Sequence, residues 1–271
     1  MKVAAIQMVS GAQLQANLAQ AATLIAQAAH AGAELAVLPE YFCLMGHGDR
    51  DKLALAERPG DGVVQRFLSG QARTHGLWLV GGTLPLATSD AARVHNSTLV
   101  FDPQGDCVAR YDKIHLFGFD TGAEHFDEAR TILAGSRPVR FVLQTRAGVD
   151  WRVGLSVCYD LRFPELYRAH AHSGCDLLLL PSAFTATTGR AHWEVLLRAR
   201  AIENQAYVLA AAQGGQHENG RRTWGRSMVV GPWGDVLVQQ AQGSAVVLAD
   251  VRQTHLREVR RQLPALRHRV L

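Results

Sequence analysis

Three side chains in this sequence have the types and settings for covalent acyl chemistry. Cys158, in "G-L-S-V-C-Y-D-L-R-F-P-E-L", closes an apolar run and precedes a segment with proline in its first helical turn. A residue at a strand-to-helix elbow exposes its side chain beside backbone N–H groups, where a nucleophile is useful. The other reading is a structural cysteine, because free cysteine is among the most buried residue types. No histidine lies close by in sequence to take a thiol proton. Glu40, in "L-A-V-L-P-E-Y-F", is a carboxylate delivered to the C-terminal end of an apolar strand, where ligand sites in α/β sheets gather. Set among Tyr41, Phe42 and Leu44 it is partly desolvated, as a neutral-pH general base requires. An exposed loop glutamate is its other reading. Lys113, in "R-Y-D-K-I-H-L-F-G-F", follows a strand and opens a long irregular stretch. An ammonium beside a thiol favours the thiolate and stabilises an oxyanion; away from one, Lys113 is a surface lysine.

The remaining chemistry-bearing residues point elsewhere. Cys107 and Cys175 stand at the starts of apolar strands, and core filling is expected for both; Cys43 lies just past a strand end. The four cysteines form no C-x-x-C pair, so neither a disulfide framework nor structural zinc is expected. His170 and His172 are two apart on an expected helix and face different ways, so no metal centre is expected from them. The net charge is +4, and basic residues gather in "L-R-E-V-R-R-Q-L-P-A-L-R-H-R-V-L", read as a solvated helix and tail. No helix-turn-helix or zinc-finger spacing accompanies them, so nucleic acid is not an expected partner. A mild basic bias suits a small anionic substrate. No apolar run approaches the ~20 residues needed to cross a bilayer. The start "M-K-V-A-A-I-Q-M-V-S-G" lacks the apolar stretch of a secretory signal. A soluble cytoplasmic protein without a membrane partner is expected.

These residues need a scaffold, and the periodicity supplies one. The 271 residues contain no Pro/Ser-rich or charged linker, so one domain over 1–271 is expected. "K-V-A-A-I-Q-M" reads as a strand, and Leu14, Leu18, Ala22 and Ile25 recur at helical spacing up to Ala29. A helix over 61–75 is expected with Asp61 as its cap. Strands are expected at "L-W-L-V-G-G-T-L", "V-H-N-S-T-L-V-F" and "C-V-A-R-Y", with the turn "D-P-Q-G-D" before the last. Residues 113–137 read as irregular, and irregular segments this long are usually functional. Further strands are expected near 139–145, 152–157, 207–213, 225–230, 236–239 and 245–250, with helices near 164–173, 190–205 and 252–262. "A-V-L-P-E-Y-F" and "L-L-P-S-A-F" share a strand–Pro–x–x–Phe pattern after a helix. The echo suggests two α/β halves with their sheets face to face and helices outside.

Taken together, "L-P-E-Y-F", "Y-D-K-I-H-L-F" and "C-Y-D-L-R-F-P-E-L" resemble the nitrilase superfamily of carbon–nitrogen hydrolases in order and context. The resemblance runs through essentially the whole chain. Its later segments, "P-S-A-F-T-A-T-T-G-R-A-H-W-E-V-L-L-R-A-R-A-I-E-N-Q" and "S-M-V-V-G-P-W-G", look like the Nit branch. The pattern departs from that branch at Trp224, Arg226 and Gly231, where tyrosine, histidine and aspartate are more usual. The family implies an α/β fold, a four-layer α-β-β-α sandwich that assembles as a homodimer or higher homo-oligomer. It implies Glu40 as general base, Lys113 as oxyanion stabiliser, Cys158 as nucleophile, and a second glutamate at Glu128, with Glu124 as fallback. It requires no cofactor and no metal. The implied reaction is amide hydrolysis through a thioester, with Tyr159 contributing its backbone N–H. The expected substrate is deaminated glutathione, cleaved to 2-oxoglutarate and Cys-Gly, ahead of 2-oxoglutaramate-like omega-amides and carbamoyl amides. An idle scaffold is the non-enzymatic alternative. Arg162, four residues after Cys158, is expected to reach the substrate near the reacting carbon, and Thr187, Thr188, Arg190 and His192 to line the opposite wall. Loop polarity and helix capping are the other readings of these residues.

Overall fold

The computed structural model describes residues 1–122 and 124–270. Apolar alternation along the strands builds two stacked sheets. In the first sheet β1 (Lys2–Gln7), β2 (Leu35–Val37) and β3 (Trp78–Val80) run parallel, joined by α1 (Leu14–His30) and α3 (Val63–His75). The short α2 (Asp51–Ala54) lies in the β2–α3 connection. The sheet is completed by β4 (Leu84–Ala87), β5 (Val94–Phe101), β6 (Cys107–Asp112) and, at the far edge, a late strand (Ala245–Asp250) antiparallel to β1. A small hairpin, β7 (Gly118–Asp120) with β8 (His125–Asp127), stands apart. The second sheet contains β9 (Arg140–Gln144), β10 (Asp150–Leu155), β11 (Leu177–Ser182), β12 (Tyr207–Ala212), β13 (Ser227–Val230) and β14 (Val236–Gln240), paired in sequence order. Its parallel crossovers carry α4 (Pro164–His172) and α5 (Ala186–Asn204). The late strand is β15, and α6 (Gln253–Gln262) follows it.

The period-2 alternation of strand side chains decides which layer each residue joins. From β1, Val3 and Ala5 point into the core between the sheets, against Trp151, Val153 and Leu179 of the second sheet. Ala4 and Ile6 point the other way, against Leu18, Ala21 and Ile25 of α1. On the far side, Leu166 and Tyr167 of α4 and Trp193, Leu197 and Ala201 of α5 cover the second sheet. The result is the expected α-β-β-α order.

Three local expectations are corrected. Asp61 does not cap α3; it pairs with Arg66 at 2.7 Å, and the buried Glu57 carboxylate instead accepts from Val64 N (2.6 Å) and Gln65 N (3.2 Å). The stretch 113–137 is not irregular throughout: it holds the β7–β8 hairpin and a 3₁₀ turn over Glu128–Arg130, fastened by the packing of Phe117 on Phe119 and Phe126. Cys107 is exposed, because β6 pairs only with β5 among the described residues and turns its first residues to solvent; Cys175 and Cys43 are buried. The basic C-terminal helix is solvated on one face only. Leu256 and Val259 pack inward, and Arg260 reaches Asp176 and the Cys175 carbonyl. Among the described residues no helix is long and apolar enough to cross a membrane.

Candidate active site

The two strand–Pro segments meet where the sheets face each other. The chain leaves β2 through Leu38 and Pro39 and places Glu40 at the strand's C-terminal end, 1 % exposed. Its Oε1 accepts from Lys113 Nζ (2.9 Å) and Asn96 Nδ2 (2.9 Å), and its Oε2 accepts from the backbone N–H of Ala183 (2.9 Å), just past β11. Gln213 Nε2, beyond β12, donates to the Glu40 carbonyl at 3.1 Å. The carboxylate is thus held by donors from both sheets. The turn after it is tight: Tyr41 has φ +57°, a left-handed conformation that non-glycine residues rarely adopt, and its N–H is caught by Thr83 Oγ1 at 2.9 Å. Gly82 makes room for this turn, since a Cβ there would lie 2.1 Å from the Pro39 carbonyl oxygen.

Lys113 leaves the end of β6 and is buried. Its Nζ bonds Glu40 and both oxygens of Glu128, at 3.0 and 2.7 Å. Burial alone would lower the lysine's proton affinity, but the Glu128 and Glu40 carboxylates outweigh it and hold the ammonium charged, its pKa raised. Glu128 is locked by Tyr41 Oη (2.7 Å) and Phe117 N (2.7 Å) as well. Burial would raise its pKa, yet Lys113 and these donors bring it below the ordinary glutamate value. Glu124, the fallback, bonds Thr187 Oγ1 instead and lies outside this cluster.

Cys158 begins a 3₁₀ turn (Cys158–Arg162) between β10 and α4, with φ +49°. Such strain in a non-glycine residue persists only where its surroundings over-determine it. Asp160, fully buried, does much of this: it accepts from Val157 N (2.8 Å), from Tyr111 Oη (2.6 Å) and from His115 N (3.0 Å). One carboxylate therefore ties the cysteine turn to the segment that carries Lys113. Burial, then the Glu40 charge, raise the Cys158 pKa well above the ordinary thiol value, against the opposing pull of Lys113.

Cys158 lines a narrow inner pocket with Glu40, Glu128, Tyr159, Arg162 and Thr188. Outside it opens a chamber of about 980 Å³ bordered by Lys52, Thr187 and Arg190; Phe117, Glu128 and Arg221 line both spaces. The expected wall divides accordingly. Arg162 sits over the rings of Phe184 and Tyr159, with Nη1 3.1 Å from His192 Nδ1. His192 lines neither space and meets the pocket only through that contact. Thr188 faces the inner pocket but also belongs to the α5 cap, its N–H and hydroxyl engaging Thr185 Oγ1. Sequence reasoning missed Asn96, Tyr41, Asp160, Lys52 and Arg221. Asn96 had a readable signal, a carboxamide in the middle of an apolar strand; Arg221, in "G-R-R-T-W", had none.

A thiol and a carboxylate lining one pocket, with a buried ammonium hydrogen-bonded to that carboxylate, form a device for nucleophilic attack on a carbonyl. The carbon–nitrogen hydrolase family matches residues 2–261. The chain is 39 % identical over 269 residues to a deaminated glutathione amidase of Synechocystis, covering 98 % of this chain and 97 % of that protein. It is 38 % identical over 255 residues to the human omega-amidase NIT2, covering 93 % and 89 %. The crystal structure of the Caenorhabditis elegans NitFhit protein matches with a TM-score of 0.88 at 38 % identity, over 99 % of this chain and 65 % of that one. A Nesterenkonia amidase with acrylamide added at its active-site cysteine matches with a TM-score of 0.79 at 28 % identity, over 97 % and 98 %. On this fold, this buried site and these relatives, the chain belongs to the carbon–nitrogen hydrolase family, within the nitrilase superfamily, and is an amide-hydrolysing enzyme.

Proposed function

We propose that Cys158 is the nucleophile of a thioester mechanism in which Glu40 moves every proton. Glu40 takes the thiol proton as sulfur attacks the amide carbon. Lys113 and the backbone N–H of Tyr159 hold the tetrahedral oxyanion. Glu40 then gives its proton to the departing nitrogen, the C–N bond breaks, and a thioester remains. Water, deprotonated by Glu40, attacks that thioester; the acid leaves and the thiol is restored. Glu128 acts through Lys113, fixing its position and charge. The observation that carries this reading is the convergence of Glu40 and Glu128 on the buried Lys113 nitrogen beside the Cys158 pocket. The raised Cys158 pKa supports a base-assisted thiol over a pre-formed thiolate.

The substrate in this reading is deaminated glutathione, hydrolysed to 2-oxoglutarate and Cys-Gly. The similarity to the Synechocystis amidase supports it. Arg162, held over two rings in the inner pocket, is the partner for the 2-oxo acid carboxylate. Thr187, Thr188 and Arg190 border the remaining path, with His192 steadying Arg162. The test offers deaminated glutathione, 2-oxoglutaramate, simple omega-amides, a carbamoyl amino acid and a nitrile at equal concentration, with ammonia and amine release followed in parallel. The highest kcat/KM is expected for deaminated glutathione. A clear preference for 2-oxoglutaramate would move the assignment to omega-amidase, a reading that the similarity to NIT2 favours; turnover of none would leave a scaffold.

The same reading makes the protein a cytoplasmic homo-oligomer. A reducing compartment keeps Cys158 as a free thiol. Val195 and Ile202 on α5, with Trp233 in the loop beside Ile202, are exposed apolar side chains suited to a second copy. Light scattering that returned a monomer at working concentration would refute the assembly.

A further inference from the structure

Arg221 is a cation whose donors are mostly unused. It lies in a loop held from several sides. The His217 N–H donates to the Arg221 carbonyl (2.9 Å), Gln216 Nε2 donates to the Gly220 carbonyl (2.9 Å), and Asn219 Nδ2 reaches the Gly46 carbonyl (2.6 Å). The guanidinium lies over the Phe126 ring, 5.2 Å from its centroid. Among the described residues its one strong hydrogen bond runs from Nη2 to the Ala183 carbonyl, at 3.1 Å. Nη1 meets the Met45 sulfur, a weak acceptor, at 3.9 Å, and Nε is buried without a partner. A half-buried guanidinium lying over a ring, with donors left over, is a receptor for a carboxylate.

Position says which carboxylate. Arg221 and Arg162 are the two arginines of the inner pocket. Arg162 belongs to the cysteine turn, whereas Arg221 is bonded to Ala183, whose N–H holds Glu40. Glu40 must protonate the departing nitrogen, so the leaving group lies on Glu40's side of the reacting carbon. Arg221 is on that side, and it also borders the 980 Å³ chamber, which has the room a dipeptide needs. In an extended Cys-Gly unit the terminal carboxylate lies about 6 Å from the scissile nitrogen, less than two residues of extended chain. Arg221 lines both the inner pocket and the chamber, the two spaces along which such a unit would extend.

We propose that Arg221 binds the C-terminal carboxylate of a peptide leaving group, making this enzyme selective for amides whose amine half is a short peptide with a free C-terminus. The inference rests on the thioester reading, but not on the identity of the acyl unit. The chamber's other cations are weaker competitors for the same anion: Arg190 and Arg222 are exposed, and Lys52, its pKa lowered by burial, already donates to Thr131 Oγ1 at 3.1 Å.

The test compares 2-oxoglutaryl-Cys-Gly with its C-terminal carboxamide, and repeats the pair on a succinyl unit. A hydrogen bond to a charged group is worth about ten- to a hundredfold. The wild-type enzyme is therefore expected to favour the free acid over the carboxamide by at least about tenfold in kcat/KM, chiefly through KM. Arg221→Gln should collapse that ratio toward unity, and Arg221→Lys should restore part of it. A wild-type enzyme indifferent to the carboxamide overturns the proposal without any variant. So does a preference that survives Arg221→Gln, whichever of Lys52, Arg190 and Arg222 carries it. Poor turnover of both 2-oxoglutaryl compounds with good turnover of the succinyl pair would sink the substrate reading alone, because the acid-to-carboxamide ratio on succinyl still decides the role of Arg221.

Discussion

Removing the ammonium at the centre of the buried cluster gives the sharpest physical test. Lys113→Met keeps the side chain's length and deletes its charge, leaving Glu40 and Glu128 directed at the same buried point, where both had reached Nζ within 3.0 Å. Breaking a buried pair by taking one partner away costs roughly 3–5 kcal/mol. At about 2–4 °C per kcal/mol for chains of this order of size, the Tm should fall by about 6–20 °C at pH 8. The loss should depend on pH, and the sign follows from the shifts. In the native protein Glu128 has a lowered pKa, so its contribution is present above the ordinary value of 4.5 and is lost only as pH falls through the lowered one. Lys113 has a raised pKa, so its contribution is full below 10.5 and is lost as pH rises through the raised value. The native protein is therefore level in this respect between pH 5.5 and 8. In the variant, burial and mutual repulsion raise the carboxyl proton affinity, so the penalty is greatest where both groups would be ionised and eases toward acid. Thermal melts of both proteins at pH 8 and pH 5.5 read this directly. A Tm deficit equal at the two pH values, or no deficit at all, would refute the account of the cluster as an ion pair that the fold depends on.

Cys158→Ala should abolish turnover and leave Tm within a few degrees of the parent, since the sulfur carries chemistry more than packing; a fully active variant would overturn its role. Glu40→Gln keeps the shape of the side chain but cannot accept a proton, so kcat for amide hydrolysis should fall by about a hundredfold or more; near-parental activity would remove Glu40 as the base. Arg162→Met should raise KM for 2-oxoglutaramate by about tenfold or more, the worth of a charged hydrogen bond, and an unchanged KM would detach Arg162 from the 2-oxo acid.

The cluster was legible in the sequence where short strings carry their own context. "L-P-E-Y-F" and "C-Y-D-L-R-F-P-E-L" place a carboxylate and a thiol at strand ends, and that is where Glu40 and Cys158 lie. Their partners were not legible, because the contacts span long separations. Asn96 and Glu40 are 56 residues apart, and the Ala183 N–H that holds Glu40 is 143 residues away. A backbone amide leaves no mark in residue identity. The β7–β8 hairpin escaped because strands of three residues show no alternation, and aromatic stacking from Phe117 holds them. Cys107 was misjudged because an apolar string does not reveal that its strand lies at a sheet edge. The cap of α3 was misassigned to the nearest acid, Asp61, when Glu57, four residues earlier, folds back to do it.

The site lies on a seam, and the seam has a consequence for the life of the chain. Glu40 and Lys113 come from strand ends of the first sheet and Glu128 follows the hairpin, all ahead of Cys158 in the order of synthesis; Cys158 and the Ala183 amide belong to the second sheet. A growing chain therefore completes both carboxylates and the ammonium before the sulfur exists. A chain whose sheets have come apart carries Cys158 remote from Glu40. In the proposed mechanism the turnover of amides is therefore confined to molecules whose two halves have docked, and a nascent or misfolded copy carries the sulfur without Glu40 beside it.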